Sequence, residues 1–219
     1  MRGTQMSLPR NKIMEAIEKA REASPARNFQ QSFDLVINLR ELDMKRPEQR
    51  VNLRFTLPNG VGDRKVLVFA SGDLALRARR AGADAVVEPA ELDQLATDKK
   101  AAKKAFQPYD SFVAEAPMMP TVGRVAGPIL GPRGKMPTPV PPQAPIDSIL
   151  ERERKTVVLR SRDKPFVHCI VGKEDMSDEM VAQNIETVVQ SVTKATRRGF
   201  ANVRSIFLKL SMGDSVKVF

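Results

Sequence analysis

The only cysteine and the only histidine of this 219-residue chain are neighbours, His168-Cys169. A thiol beside an imidazole is the raw material of a nucleophile and its general base. The surrounding run Phe166-Val167-His168-Cys169-Ile170-Val171 reads as a strand, and adjacent strand residues point to opposite faces. The pair therefore cannot cooperate. Cys169 is expected as a buried, inert thiol and His168 as a structural histidine. One His and one Cys also exclude a zinc site of the usual ligand types. No metal, no cofactor and no catalytic residue is expected.

A second candidate for chemistry is the segment Gly123-Arg124-Val125-Ala126-Gly127-Pro128-Ile129-Leu130-Gly131-Pro132-Arg133-Gly134-Lys135-Met136-Pro137. Its Gly134-Lys135 ending resembles a phosphate-cradling loop, but the working parts are missing. Ile129 stands where the first Gly belongs, and Met136 replaces the metal-binding Ser or Thr. Pro137 blocks the helix whose N-terminus would hold the phosphate. Nor does Ala70-Ser71-Gly72-Asp73 carry a dinucleotide fingerprint, having one Gly only. The acidic cluster Glu88, Glu91 and Asp93 reads as a solvated helix start. What the Gly/Pro segment can do is present Arg124, Arg133 and Lys135 to phosphates, which adds affinity without reading sequence. A further set of cations, Arg160, Arg162 and Lys164, has the i, i+2 spacing that would line one face of a strand.

The elements that must position these residues follow from hydrophobic period. Ile13, Ala16, Ile17 and Ala20 predict a helix over 9–23, stopped by Ser24-Pro25. Phe33, Leu35, Ile37 and Leu39 alternate with polar neighbours as a strand. The charged connector 41–50 predicts an antiparallel return to a second strand carrying Val51, Leu53, Phe55 and Leu57. Pro58-Asn59-Gly60-Val61-Gly62 breaks the pattern. The middle then changes style. Lys65–Ala70 is a continuous apolar run, as for a strand covered on both faces. Helices over 73–81 and 91–105 alternate with short strands at 85–87 and 111–114, a βαβα rhythm. A Pro/Gly loop over 117–145 and a short helix over 146–152 follow. Alternation returns at Val157 and Leu159 and at 166–171. Ser177 is placed to cap a helix bearing Val181, Ile185, Val188, Val189 and Val192 on one face. Strands over 203–210 and 215–219 close the chain.

Neither end alone holds enough strands for a core. The expected fold class is therefore α+β, a discontinuous two-domain protein: 1–62 with 153–219 form a split α+β domain, and 63–152 form an inserted Rossmann-like α/β domain. The insert carries 13 basic and 11 acidic residues against 23 and 15 in the outer pieces, so +8 of the net +10 lies outside the insert. That excess points to a polyanion, nucleic acid before membrane. No apolar run approaches the roughly 18 residues that cross a bilayer, and Met1–Arg21 lacks a signal-peptide apolar core. One cysteine fits a reducing compartment.

The Gly/Pro segment with Pro137-Thr138-Pro139 resembles the signature of the ribosomal protein L-one family, in its archaeal form. So do Val171-Gly172-Lys173 and Ser211-Met212-Gly213, and the resemblance covers nearly the whole chain. It implies an outer domain that grips large-subunit ribosomal RNA at the base of a mobile stalk near the tRNA exit site. The protein's own mRNA, bound as a translational repressor, and exit-site tRNA are implied as further partners. It implies a non-enzymatic protein of the cytoplasm, on the ribosome, monomeric when off it. Carried over to this sequence, Phe33, Asn38, Arg160, Arg162, Lys164, Ser211, Met212 and Gly213 would face RNA, with His168 beside the cations and Arg124, Arg133 and Lys135 in the insert. The residues by themselves also admit another reading: Phe33 shares the alternating apolar face and reads first as core, Met212 reads equally as core filler, and the three cations as an ordinary solvated face. Ser211 would bond a sugar hydroxyl without mattering to stability. The family has Thr where Ser211 stands and Pro where Asp214 stands; Asp214 places a negative charge beside that edge. The alternative is a Rossmann-like enzyme using a nucleotide or sugar phosphate.

Overall fold

The computed structural model describes residues 8–219, so part of the stretch read for a leader, residues 1–7, lies outside the described residues. In chain order the elements are α1 (Arg10–Glu22), β1 (Ser32–Leu39), β2 (Asn52–Thr56), β3 (Val66–Phe69), α2 (Gly72–Arg80), β4 (Ala85–Val87), α3 (Pro89–Thr97), α4 (Lys99–Phe106), β5 (Ser111–Glu115), α5 (Met119–Val125), α6 (Gly127–Leu130), β6 (Thr138–Val140), α7 (Ile146–Lys155), β7 (Thr156–Arg160), β8 (Phe166–Lys173), α8 (Asp178–Ala195), β9 (Val203–Leu210) and β10 (Val216–Lys217). They build a mixed α/β protein of two compact units. One contains the described residues up to Gly62 together with Lys155–Phe219; the other is Asp63–Arg154.

In the first unit β10-β9-β1-β8 form an antiparallel sheet. Phe33, Leu35, Ile37 and Leu39, every second residue of β1, point into the core, where they meet Ile13, Ile17 and Ala20 of α1 and Val181, Ile185 and Val188 of α8. Both helices thus cover one face of the sheet. Ser177 occupies the N-cap position of α8 but makes no side-chain cap bond. The expected antiparallel return does not occur. β1 is flanked by β8 and β9, and β2 pairs instead with β7, Leu53 facing Leu159 and Phe55 facing Val157. Alternation fixes which face a strand buries but not which strand lies beside it.

In the second unit β4-β3-β5-β6 form a parallel sheet. Leu67 and Phe69 of β3 pack with Leu92, Phe106 and Val122 on one side. Val66 and Val68 pack with Leu74, Ala78 and Leu150 on the other. Two expectations change here. The helix expected over 91–105 is two, because Asp98 leaves helical geometry and its carboxylate accepts the Lys100 amide at 2.7 Å, capping α4. The 117–145 segment is not all loop: it holds α5 and α6, whose prolines sit in the first turn, where no amide hydrogen is needed.

Candidate nucleic-acid interface

Among the described residues no helix covers the second face of the β10-β9-β1-β8 sheet. Cross-strand registers arrange its side chains in rows. Asn38 lies between Phe166 and Ser205, Val36 between His168 and Phe207, and Asp34 between Ile170 and Lys209; Lys217 adjoins Phe207. Asn38 Nδ2 donates to Ser205 Oγ at 2.9 Å. The Phe166 and His168 rings lie 6.0 Å apart, and both residues are exposed. Aromatic rings interleaved with amide, hydroxyl and ammonium groups on an open sheet can stack bases and contact phosphates. Cys169 points the opposite way and is buried, so His168 has no nucleophile behind it. Desolvation raises the Asp34 carboxyl above its ordinary value, opposed by Lys209 and His168. A raised carboxyl binds its proton more tightly in the folded state. Its contribution to stability is therefore full at low pH and falls as pH rises from the ordinary carboxylate range through the raised value.

The three cations border one end of this face, though not as a strand row. β7 ends at Arg160. Arg162 and Lys164 lie in the connection to β8, exposed but outside any strand. The β2–β7 register ends at Asn52 and Arg160, with one further bond from the Ser161 amide to the Val51 carbonyl at 2.8 Å; further on, Pro165 has no amide to donate and its carbonyl accepts the Leu39 amide of β1 at 2.7 Å.

The other end of the face is the turn after β9. Gln31, fully buried, joins it to the loop after α1: Oε1 accepts from the Met212 amide (3.1 Å) and from Ser24 Oγ (3.1 Å), while Nε2 donates to the Pro25 carbonyl (3.3 Å). Met212 and Phe29 are each 54% exposed. Phe29 was not among the expected residues. Its signal was available, a lone aromatic in the polar, aperiodic run Ala26-Arg27-Asn28-Phe29-Gln30-Gln31. Gly213 packs closely here and has no positive φ: a Cβ would lie 3.0 Å from Ser24 Cβ and 3.3 Å from Ser24 Cα, so Ser24 would have to give by a few tenths of an ångström. Along β1 the two ends are separated by about 23 Å at ~3.3 Å per residue.

Two expected roles need correction. Phe33 lies in the core and not on the open face. It is 0% exposed, with the Arg21 guanidinium 5.1 Å from its ring centroid. Ser211 is not structurally idle, because its Oγ accepts from the Ser32 amide at 3.2 Å and lies 3.4 Å from the Ser32 carbonyl oxygen. Ser211→Ala is therefore expected to lower stability by about 0.5–1.5 kcal/mol, the net worth of one such bond, with Ser211→Thr restoring it. Urea unfolding of the three proteins checks this; an alanine variant as stable as the parent would refute it.

The insert cations belong to the other unit. Arg124 on α5 and Arg133 are exposed. Lys135 is half-buried and engaged, its Nζ donating to the Tyr109 carbonyl at 2.9 Å and lying 3.5 Å from Asp110. Nor does this unit keep an anion site where parallel sheets usually hold one, beyond the carboxyl ends of strands at a switch in strand order. Between β3 and β5 that place is taken by the chain itself: Glu115 Oε2 accepts from the Ser71 amide (2.9 Å) and hydroxyl (2.8 Å) at the start of α2. A fixed carboxylate there repels a phosphate. Glu88, of the acidic cluster, pairs with Arg79 at 2.6 Å.

An open sheet face of interleaved aromatic and polar side chains, edged by cations, is the kind of surface that RNA-binding proteins present. Comparison with known proteins narrows the class. The sequence matches the profile of the Ribosomal protein L1p/L10e family over residues 18–214. It is 48% identical to the large ribosomal subunit protein uL1 of Methanothermobacter thermautotrophicus, covering 94% of this chain and 98% of that one. With the protein of the same description from Methanothermococcus thermolithotrophicus it shares 46% identity over 96% and 99%. With that of Pyrococcus abyssi it shares 44% over 98% and 99%. The chain belongs to the L1p/L10e family of ribosomal proteins, RNA-binding constituents of the ribosome and not enzymes.

Proposed function

We propose that this chain is a structural constituent of the large ribosomal subunit that grips ribosomal RNA at the base of the mobile stalk beside the tRNA exit site. The split α+β unit holds the RNA through its open sheet face, and the Rossmann-like unit is the insert it carries. Exit-site tRNA is a second partner, and the protein's own mRNA is a third, bound at the same face to repress translation. The protein works in the cytoplasm on the ribosome and is a monomer when released. The observation that carries this reading is the open face itself. Phe166, His168 and Phe207 offer stacking surface, Arg160, Arg162 and Lys164 close one end, and Phe29 and Met212 stand exposed at the other. The relatives that the chain matches are large ribosomal subunit proteins by description.

Sedimentation with large subunits depleted of this protein tests it. The chain is expected to co-sediment at one copy per subunit in moderate salt, and an excess of its own mRNA is expected to strip it off. A chain that stays at the top of the gradient sinks the ribosomal reading. A bound chain that its mRNA cannot displace sinks the repressor reading alone.

A further inference from the structure

Helix α4 has the sequence Lys-Lys-Ala-Ala-Lys-Lys-Ala-Phe. Four of the insert's 13 basic residues therefore stand on eight positions, and all four, Lys99, Lys100, Lys103 and Lys104, are exposed. The arrangement works against the helix. Lys99–Lys103 and Lys100–Lys104 are like-charge pairs at i, i+4, which destabilise a helix. Lys99 and Lys100 also occupy the first turn, where the helix dipole disfavours positive charge. Among the described residues no carboxylate side chain forms an ion pair with any of the four. The nearest acid in sequence, Asp98, is engaged in capping, and Asp110 beyond the C-terminus lies beside Lys135. Charge is segregated rather than mixed: α3, just before the break, holds Glu91 and Asp93 and no cation, whereas α4 holds no acid. A surface built for solubility alone interleaves the two signs.

The helix is nevertheless firmly anchored. Ala102 and Phe106 are buried, and the Phe106 ring packs edge-on against Phe69 at 5.7 Å and Phe112 at 6.2 Å. The Lys135 bond to the Tyr109 carbonyl then fixes the turn bearing Arg133 close to the end of α4.

We infer that the lysine face of α4 is a second RNA-backbone contact, on the insert and separate from the open sheet face of the first unit. The ammonium groups neutralise phosphates without reading sequence, and the bound polyanion relieves the like-charge repulsion that the free helix carries. The identity of the polyanion as RNA rests on the ribosomal reading above.

The test uses the full chain with Lys99, Lys100, Lys103 and Lys104 all changed to Gln, and a 30-base-pair RNA duplex of arbitrary sequence as probe. The slope of log affinity against log salt is expected to become shallower by about 3, at roughly 0.7–0.9 per neutralised phosphate. The unfolding midpoint is expected to stay level or rise, because the repulsive pairs are gone. Lysine acetylation followed by mass spectrometry is expected to slow at these four positions of the parent protein when the duplex is added. An unchanged slope with unchanged acetylation overturns the inference. So does a slope change seen with poly-glutamate but not with the duplex, which assigns the face to an acidic protein. Failure of the chain to co-sediment with large subunits, with the slope change present, removes the ribosomal reading and leaves the RNA contact standing.

Discussion

Replacing Phe33 with alanine is expected to destabilise the unit that contains it by about 3–5 kcal/mol, the usual range for deleting a buried aromatic side chain. The ring is completely enclosed, between Gly172 of β8 and Leu210 of β9 in the sheet register. It also supports Arg21, whose guanidinium lies 5.1 Å from the ring centroid. From that position Arg21 donates to Asp178 Oδ1 (2.8 Å) and to the carbonyls of Glu174 (2.7 Å) and Met176 (2.7 Å), tying α1 to the start of α8. The alanine variant leaves a cavity and removes the platform under this clamp. Phe33→Leu keeps most of the volume and is expected to cost well under half as much. Urea unfolding should show the loss in the transition of the first unit, with the second unit's transition unmoved. RNA affinity measured well below that transition is expected to match the parent. A variant of parental stability that has lost RNA binding would return Phe33 to the RNA-facing set.

The conflict over Phe33 shows where the sequence is legible. Alternation at Phe33, Leu35, Ile37 and Leu39 says that these four share one face, and that face is the core. The same rule places Asn38 and His168 on open faces and Cys169 inside. The helices α1 and α8 are equally legible, because their apolar spacing leaves one buried stripe. What period cannot carry is contact between distant segments. Nothing in Leu53 or Phe55 announces β7, about a hundred residues on, as partner. Nothing in Ser211 announces that its hydroxyl accepts the Ser32 amide. Arg160 ends the β7 ladder, and Arg162 and Lys164 keep strand spacing in a stretch beyond it, so spacing alone extended the strand too far. Asp98 reads as an ordinary helix residue until its carboxylate is seen to take a backbone amide. Phe29 escaped because aperiodic segments give no face to assign, although an aromatic in such a run is itself a reason to look.

Changing Arg160, Arg162 and Lys164 together to Gln is expected to weaken binding to large-subunit ribosomal RNA by about 10²–10³-fold at 0.1 M salt, or ~3–4 kcal/mol. The estimate comes from counterion release. Three phosphates at roughly 0.7–0.9 each make the slope of log affinity against log salt shallower by about 2–3, out of an expected −3 to −5 for the first unit. The geometry supports a large share for these three. Their connection is held at both ends: Ser161 exchanges bonds with Val51 through its amide and its hydroxyl, each at 2.8 Å, and the Pro165 carbonyl accepts the Leu39 amide at 2.7 Å. A backbone fixed in the free protein loses less freedom when its side chains engage, which leaves more of each contact as affinity. The connection also delivers Phe166 directly onto the open face, so phosphate contacts and stacking surface are set by the same short segment. Salt titration separates the two kinds of contact. A loss that is constant across salt would mean that the cations touch bases or sugars rather than phosphates. An unchanged slope and affinity would remove them from the interface, and the thermal midpoint measured alongside distinguishes either outcome from loss of fold.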